Sequence, residues 1–458
     1  MENCKRESFA HRALTLALPI ALQNLLSSCA ALVDTAMVVG LGNVAIASMG
    51  VAGRWTFLLN IMVFGLCSGS SAMIAQFWGA KDAHSIRRAF GVGSLCSLCV
   101  AVLFILAGLI IPEPMMRVFT PDPALIETGA VYLKTVCWCA PFFAINMIAA
   151  SALRSTEDVI TPLITSGLSV VLNTCFNYVL INGKLGFPVL GIRGAAIATI
   201  CSTALCAILT FVIAVRKKSV VFAHPRELFG FDFGFVRRYL TVALPVLFNE
   251  MVWAVGTNIY VMVLARQGTE NYAGYTMYDS VQQLLFVFFV GMCHACSIMV
   301  GKTIGEGKPA EAYKLARTFS VMTPLLSVVC GVILILIRDP VLSLLPIETE
   351  YARKVASDLL LMYGLWMPMR MIPYVMIVGI FRAGGDTKIG FYYDMMTVFV
   401  LGVPTVAILG LVVKAPFLVI IAGMFLAEDV VKTVLCIRRF RSRQWIKQLT
   451  MPGDNAVS

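Results

Sequence analysis

An acidic side chain lies inside the first apolar stretch of this sequence. The stretch Leu18–Gly42 reads LPIALQNLLSSCAALVDTAMVVGLG, which exceeds the roughly 20 apolar residues that a helix needs to cross a bilayer. Asp34 lies within it, and an ionisable group at membrane depth is costly unless it faces a partner or a water-filled cavity. A carboxylate in such a place can take up a proton or attract a small cation, so we predict that Asp34 carries ion coupling.

Two asparagines in the fifth apolar stretch could complete a site with Asp34. Asn173 and Asn177 are four residues apart, so a helix would place both on one face. With a rise of about 1.5 Å per residue, both lie near the depth of Asp34. One carboxylate and two amides could hold a proton or a small cation; alternatively, the asparagines form the interhelical hydrogen bonds that such residues commonly provide.

A second acid lies near the middle of the seventh apolar stretch. Glu250 follows Pro245 by five residues, and its counterpart in an internal repeat is Asn24. In apolar surroundings Glu250 would exchange a proton, and in a solvated cavity it would attract a cation; both interpretations fit the sequence. We assign Glu250 to ion coupling and Asn24 to the substrate cavity.

Three further charges lie inside apolar stretches. Arg54 and Asp279 are near equivalents in the repeat and could form an ion pair that acts as an outer gate, or each could extend to the lipid headgroups. Arg370 lies between two prolines in WMPMRMIP, where the helix should be broken, so we expect it to face the cavity.

The composition indicates the elements that carry these residues. Hydrophobic residues make up 59% of the 458 residues, charged residues make up 13%, and the mean hydropathy is +0.85. We therefore predict an all-α polytopic membrane protein, because helices satisfy their own backbone hydrogen bonds in lipid. The twelve predicted spans are 13–39, 47–77, 89–111, 131–153, 160–181, 194–215, 239–265, 273–300, 318–337, 357–380, 390–412 and 416–437.

The distribution of basic residues predicts the orientation of these spans. Most Lys and Arg residues fall in the termini and in the connectors that lie on the same side as the N-terminus. By the positive-inside rule, both termini are cytoplasmic and the protein lies in the inner cell membrane. The net charge of +11 has the same origin, so it does not indicate a nucleic-acid partner.

An internal repeat divides the twelve spans into two halves. ALP at 17–19 recurs at 243–245, and at the same offset of 226 Gly65 matches Gly291. Each half has six spans, which predicts parallel lobes of the kind found in transporters that hold substrate between two repeats. The predicted domains are the N-lobe 1–215, a cytoplasmic linker 216–238, the C-lobe 239–437 and a cytoplasmic tail 438–458.

Matching prolines in the two lobes are candidate hinges. Pro19 and Pro245 lie near the start of the first span of each lobe. Proline removes one backbone hydrogen bond and lets a helix bend. The bend could change the cavity volume as a nearby acid gains or loses its ion, or it could be a static kink.

Several motifs resemble the multidrug and toxic compound extrusion (MATE) family along essentially the whole chain. They are the opening stretch given above, followed by AQFWGAKDAHSIRRA, LRSTEDVITP, NTCFNYVLINGKLGFPVLGIRGAAIAT and FRAGGDT. The resemblance implies two six-helix lobes in a V that export organic compounds, driven by inward flow of H+ or Na+.

The resemblance also implies roles for particular residues. In the N-lobe, Asp34 matches the ion-coupling aspartate of the family and Pro19 matches its bend. The family's fifth helix carries Asn-x-x-x-Asp; Asn173 matches the first position, but Asn177 replaces the aspartate.

In the C-lobe, Glu250 matches a seventh-helix glutamate that forms a sodium site in some members of the family. Its tenth-helix aspartate partner is missing, since the neighbourhood reads Met369-Arg370-Met371. We therefore expect Arg370 to act as the counter-ion of Glu250.

These observations predict an antiporter that exports amphipathic organic compounds or small organic cations in exchange for H+, or for Na+. The alternative is a flippase or an exporter of anionic or lipid-linked substrates on the same fold. We expect the lipid bilayer as surroundings, a monomer, no enzymatic activity, no metal, no cofactor other than the coupling ion, and no nucleic-acid partner.

Overall fold

The computed structural model describes residues 9–345 and 349–450, and the regular structure in these residues is helical. Twelve helical rods account for most of it, and two short helices, Pro112–Arg117 and Pro225–Leu228, lie in connectors. The rods are α1 (Phe9–Leu41), α2 (Asn43–Gly79), α3 (Ala83–Ile110), α4 (Pro123–Ser155), α5 (Ile160–Asn182), α6 (Gly191–Arg216), α7 (Phe233–Ala265), α8 (Thr269–Gly305), α9 (Pro309–Ser343), α10 (Glu350–Phe381), α11 (Thr387–Val412) and α12 (Phe417–Phe425, Leu426–Val430 and Val431–Arg441).

The last helix differs from the others in its charge. Eleven of the described helices, α1 to α11, are long and apolar enough to cross a membrane. The rod α12 occupies the predicted span 416–437, but Glu428, Asp429 and Lys432 lie in its middle. These three charges explain why apolarity alone does not identify it.

The described residues form two compact units, and the division between them falls inside helices. The N-terminal unit comprises 22–74 and 81–247, and the C-terminal unit comprises 9–21, 75–80, 248–345 and 349–450. The helices α1, α2 and α7 therefore pass from one unit into the other. In α1 and α7 the change comes two residues after Pro19 and Pro245, respectively.

Glycines that match in the repeat lie at close helix crossings within the two units. A Cβ built on Gly65 of α2 would lie 2.6 Å from the Cα of Leu247 in α7. A Cβ on Gly291 of α8 would lie 2.6 Å from the carbonyl oxygen of Ala17 in α1. Small residues at such crossings let helix backbones approach closely, which explains why the repeat keeps glycine at both positions.

Wide helical turns interrupt the last three rods. The π-helical stretches are Val375–Phe381 in α10, Met395–Gly402 and Ile408–Val412 in α11, and Leu426–Val430 in α12. Such turns change the direction in which the following side chains point, and they are frequent at functional sites. Two of the four adjoin a charged residue, Arg382 after the first and Asp394 before the second, and the last contains Glu428 and Asp429.

The crossing at Gly291 provides a test of this packing. We expect Gly291→Ala to destabilise the protein by about 1–3 kcal/mol, because the new methyl group overlaps the backbone of α1. The control is Gly53→Ala, since a Cβ at Gly53 meets nothing within 4 Å. Thermal unfolding in detergent compares the two variants; equal melting temperatures would contradict the close crossing.

Candidate ion-coupling sites

The structure brings Asp34 together with both predicted asparagines. The Nδ2 of Asn177 donates to Asp34 Oδ1 at 2.6 Å and to Asn173 Oδ1 at 3.1 Å. The Nδ2 of Asn173 in turn donates to Ser202 Oγ on α6, at 3.4 Å. The three predicted residues thus form one polar cluster in the N-terminal unit, with Ser202 as a fourth member that the sequence analysis did not include.

Burial differs among the members of this cluster. Asn173 and Asn177 are buried, whereas Asp34 is half-buried. The Oδ1 atom of Asn177 is buried and accepts no hydrogen bond in the structure. Asn177 therefore donates to the carboxylate of Asp34 through Nδ2 and has an unused acceptor, Oδ1, on the same amide group.

Glu250 has a counter-ion, but it is not the predicted one. The Nη2 of Arg382 lies 2.6 Å from Glu250 Oε1 and donates to Asn249 Oδ1 at 2.8 Å. Arg382 belongs to the FRAGGDT motif and directly follows the C-terminal end of α10. The prediction that Arg370 serves as the counter-ion of Glu250 is wrong.

Arg370 pairs with an acid on α12 instead. Its Nη1 lies 3.9 Å from Asp429 Oδ2, and its guanidinium lies 5.5 Å from the centre of the Phe425 ring. Asp429 also accepts a hydrogen bond from Trp366 Nε1 at 2.9 Å. The charge of Arg370 is therefore balanced by a buried carboxylate.

A lysine on α12 joins two further buried acids. The Nζ of Lys432 lies 2.8 Å from Asp394 Oδ1 and 2.8 Å from Glu428 Oε1. Asn249 Nδ2 donates to the other oxygen of Asp394 at 2.5 Å, so the lysine cluster connects to Arg382 and Glu250. Asn249 and Lys432 were not among the residues predicted from the sequence; the four-residue spacing of Glu428 and Lys432 was the available signal.

The N-terminal unit has the same arrangement without the acids. Arg154 Nη1 donates to Gln23 Oε1 at 2.9 Å, and Gln23 Nε2 donates to Ser166 Oγ at 2.9 Å. In the repeat, Asn249 lies 226 positions after Gln23, and Arg382 and Asp394 lie 228 positions after Arg154 and Ser166. The arginine–amide contact is thus common to both halves, and the charges beside it occur only in the second.

The family model named MatE matches residues 19–179 and 245–408, one segment in each half of the repeat. This chain belongs to the MATE family. Members are multi-pass, ion-coupled multidrug efflux transporters.

Named relatives and a solved structure agree with this assignment. The chain is 28% identical to "Probable multidrug resistance protein NorM" of Thermotoga maritima over 72% of this chain and 70% of the relative. It is 29% identical to "Probable multidrug resistance protein YoeA" of Bacillus subtilis over 78% of this chain and 77% of the relative. A structure described as the outward-facing conformation of a multidrug resistance MATE family transporter of the MOP superfamily matches with a TM-score of 0.84 and 18% identity, over 96% of this chain and 97% of that chain.

The fold class predicted from the sequence is confirmed. This MATE protein is an all-α polytopic membrane protein with twelve transmembrane helices in two parallel-repeat lobes of six. The family match also bears out the resemblance on which the residue assignments depend. The roles of the individual residues stay predictions.

The predicted outer gate and cavity residues of this MATE protein have the following surroundings. Arg54 on α2 is exposed. Asp279 on α8 is half-buried and accepts a hydrogen bond from Gln283 Nε2 at 2.8 Å. Asn24 is half-buried, and its carbonyl oxygen accepts from Ser28 Oγ at 3.2 Å. Arg54 and Asp279 belong to different units, and their pairing stays a prediction.

The ion pair of Glu250 and Arg382 can be tested by a double-mutant cycle. We expect Arg382→Met to cost about 3–5 kcal/mol of unfolding free energy, because it leaves a carboxylate buried without its counter-ion. Adding Glu250→Gln should recover part of this loss, since the stranded charge is then removed.

The matched control is Arg154→Met in the other half, where the arginine contacts the neutral Gln23. Its cost should be smaller, because no acid is stranded. Chemical or thermal unfolding in detergent is measured for the wild type, Arg382→Met, Glu250→Gln, their double variant and Arg154→Met. Strictly additive effects of the Arg382 and Glu250 changes would contradict the pair.

Proposed function

We propose that this protein exports amphipathic organic compounds, including organic cations, from the cytoplasm in exchange for H+ by alternating access. The observation that carries the proposal is the cluster of Asp34 with Asn177 and Asn173 in the N-terminal unit. Asp34 is the acid that lies in the interior of a spanning helix there, among the described residues of that unit. The names of two relatives of this chain refer to multidrug resistance, which supports an organic substrate.

The geometry around Asp34 favours a proton as the coupling ion. A proton needs one lone pair, whereas Na+ needs several oxygen ligands in place of its hydration shell. Asn177 suits both protonation states of Asp34: Nδ2 donates to the carboxylate, and after rotation Oδ1 could accept from the carboxylic acid. The aspartate of the family motif, when ionised, could only accept.

The coupling step follows from this exchange of hydrogen bonds. A proton from outside binds a carboxylate oxygen of Asp34 and removes its negative charge, so the charge-assisted bond from Asn177 is lost. We propose that α1 then bends near Pro19 and reduces the volume available to the substrate. Release of the proton to the cytoplasm restores the carboxylate and its bond.

Glu250 is the proposed second proton-exchanging residue, in the C-terminal unit. Arg382 has another acceptor, Asn249 Oδ1, at 2.8 Å. The guanidinium can therefore keep a hydrogen bond while Glu250 is protonated. Pro245 on the same helix is the corresponding proposed hinge.

The proposed domains remain the lobes 1–215 and 239–437, the cytoplasmic linker 216–238 and the tail 438–458. Contacts of the linker support its placement beside the cytoplasmic end of α3. Arg87 pairs with Glu227, and Arg88 Nε donates to the carbonyl oxygen of Gly230 at 2.8 Å.

An anionic or lipid-linked cargo is the less favoured alternative. It would need uncompensated positive charge in the cavity, for which the sequence offers Arg54 and Arg370. Arg370 lies 3.9 Å from Asp429, so its charge is balanced. A lipid-flipping assay with the purified protein separates this alternative from drug export.

The role of Asp34 can be tested in proteoliposomes under separately imposed pH and Na+ gradients. We expect Asp34→Asn to lower H+-driven efflux of an organic cation at least tenfold, because the amide cannot exchange a proton. Asp232→Asn, which changes an exposed acid of the linker, should leave efflux unchanged. Efflux at the wild-type rate in Asp34→Asn, at equal reconstitution, would remove Asp34 from the mechanism.

The role of Glu250 is tested by Glu250→Gln in the same assay. The amide oxygen can still accept from Arg382, so the fold should be retained while proton exchange is lost. We expect H+-driven efflux to fall at least tenfold. Undiminished efflux would instead leave Glu250 as a structural partner of Arg382.

A further inference from the structure

A lysine side chain occupies the place between two buried carboxylates where a small cation would bind. Asp394 on α11 and Glu428 on α12 are 8% and 6% exposed, and Lys432 is 7% exposed. The Nζ of Lys432 lies 2.8 Å from one oxygen of each carboxylate. The ammonium group is thus a cation held in the site by its own side chain.

The remaining carboxylate oxygens also have partners. Asp394 Oδ2 accepts from Asn249 Nδ2 at 2.5 Å, and Glu428 Oε2 accepts from Tyr260 Oη at 3.4 Å. All four oxygens of the two acids are therefore engaged. A Na+ ion, which needs several oxygen ligands, could enter only by displacing Lys432.

The charges around this cluster are balanced in pairs. Arg370 faces Asp429 from α10, and Arg382 faces Glu250 from the end of α10. Glu428, Asp394 and Lys432 together retain one net negative charge when all are ionised. A proton can neutralise that charge on one lone pair without removing the lysine, whereas Na+ cannot.

The other half of the repeat has no such charges at the equivalent positions. Asp34 lies 226 positions before Tyr260, so the acid of the N-terminal half is replaced by a hydroxyl group in the C-terminal half. The counterparts of Asp394, Glu428 and Lys432, at offsets of 228, 226 and 226, are Ser166, Ser202 and Cys206. Two acids and one lysine thus take the positions of two hydroxyl groups and a thiol.

We propose that Lys432 is a resident cation that excludes Na+ from the C-terminal carboxylates and so restricts coupling in this half to protons. This inference rests on the proposed function, in which the transporter is driven by H+. It assigns Lys432 as a specificity-determining residue, which acts by occupying the cation position and not by contact with the exported compound.

The test is equilibrium binding of radioactive Na+ to the purified full-length protein in detergent. The wild type should show no saturable Na+ binding that depends on Asp394 or Glu428. Lys432→Met leaves two carboxylates without their cation, and we expect it to bind Na+ at least tenfold more than the wild type at the same Na+ concentration. Lys432→Arg retains the positive charge and should behave as the wild type.

A double variant tests whether the gained Na+ binding needs the carboxylate of Asp394. Lys432→Met with Asp394→Asn has the same net charge as the wild type cluster, and it should lose the Na+ binding gained by Lys432→Met. Lys432→Gln provides a second neutral variant with a polar end, in case the methionine variant does not fold. It should gain Na+ binding too.

Two results would overturn the proposal. One is saturable Na+ binding to the wild type that disappears in Asp394→Asn; the other is a folded Lys432→Met or Lys432→Gln protein that gains no Na+ binding. Because binding is measured without transport, failure of H+-driven efflux in proteoliposomes would count against the proposed function and not against the role of Lys432.

Discussion

A polar side chain inside a bilayer is stable only when a protein group or cavity water satisfies it, since lipid offers no hydrogen bonds. Every intramembrane charge described in the C-terminal unit obeys this constraint. Glu250 is paired with Arg382, Asp429 with Arg370, and Asp394 and Glu428 share Lys432. Apart from Glu428 and Lys432, which both lie on α12, the partners come from different helices, so the constraint also fixes how α7, α10, α11 and α12 are oriented within this unit.

The same constraint explains the difference between the two halves of the repeat. In both halves an amide side chain lies four residues after the proline of the first helix and accepts a hydrogen bond from an arginine. The pairs are Gln23 with Arg154 and Asn249 with Arg382. In the first half the amide Gln23 donates to the hydroxyl group of Ser166, and in the second half the amide Asn249 donates to the carboxylate of Asp394. An additional acid needs an additional cation, and Lys432 supplies it. In the N-terminal half the neutral amide of Asn177 donates to Asp34, and this is the half for which we propose exchange of a free proton.

Proline and glycine positions connect these clusters to motion. The helices α1 and α7 pass between units two residues after Pro19 and Pro245. The close crossings at Gly65 and Gly291 lie near these points, on α2 and α8. Each of these helices is tightly packed before its proline and carries an acid or an amide after it. A change of charge after the proline can therefore bend the helix at the proline. This supports the hinge proposal without requiring any change in the packed segment.

The sequence by itself determined the number of spans, the repeat, the family resemblance and the grouping of Asp34 with Asn173 and Asn177. These properties follow from local periodicity, from the high cost of charge in lipid and from depth along a regular helix. The sequence did not determine the partner of Glu250, and it gave Lys432 no role. Arg370 lies within α10 and Arg382 directly follows it, and only the tertiary packing decides which of the two contacts Glu250. Side chains from separate helices are brought together by helix rotation and π-helical turns, which leave no regular spacing in the sequence.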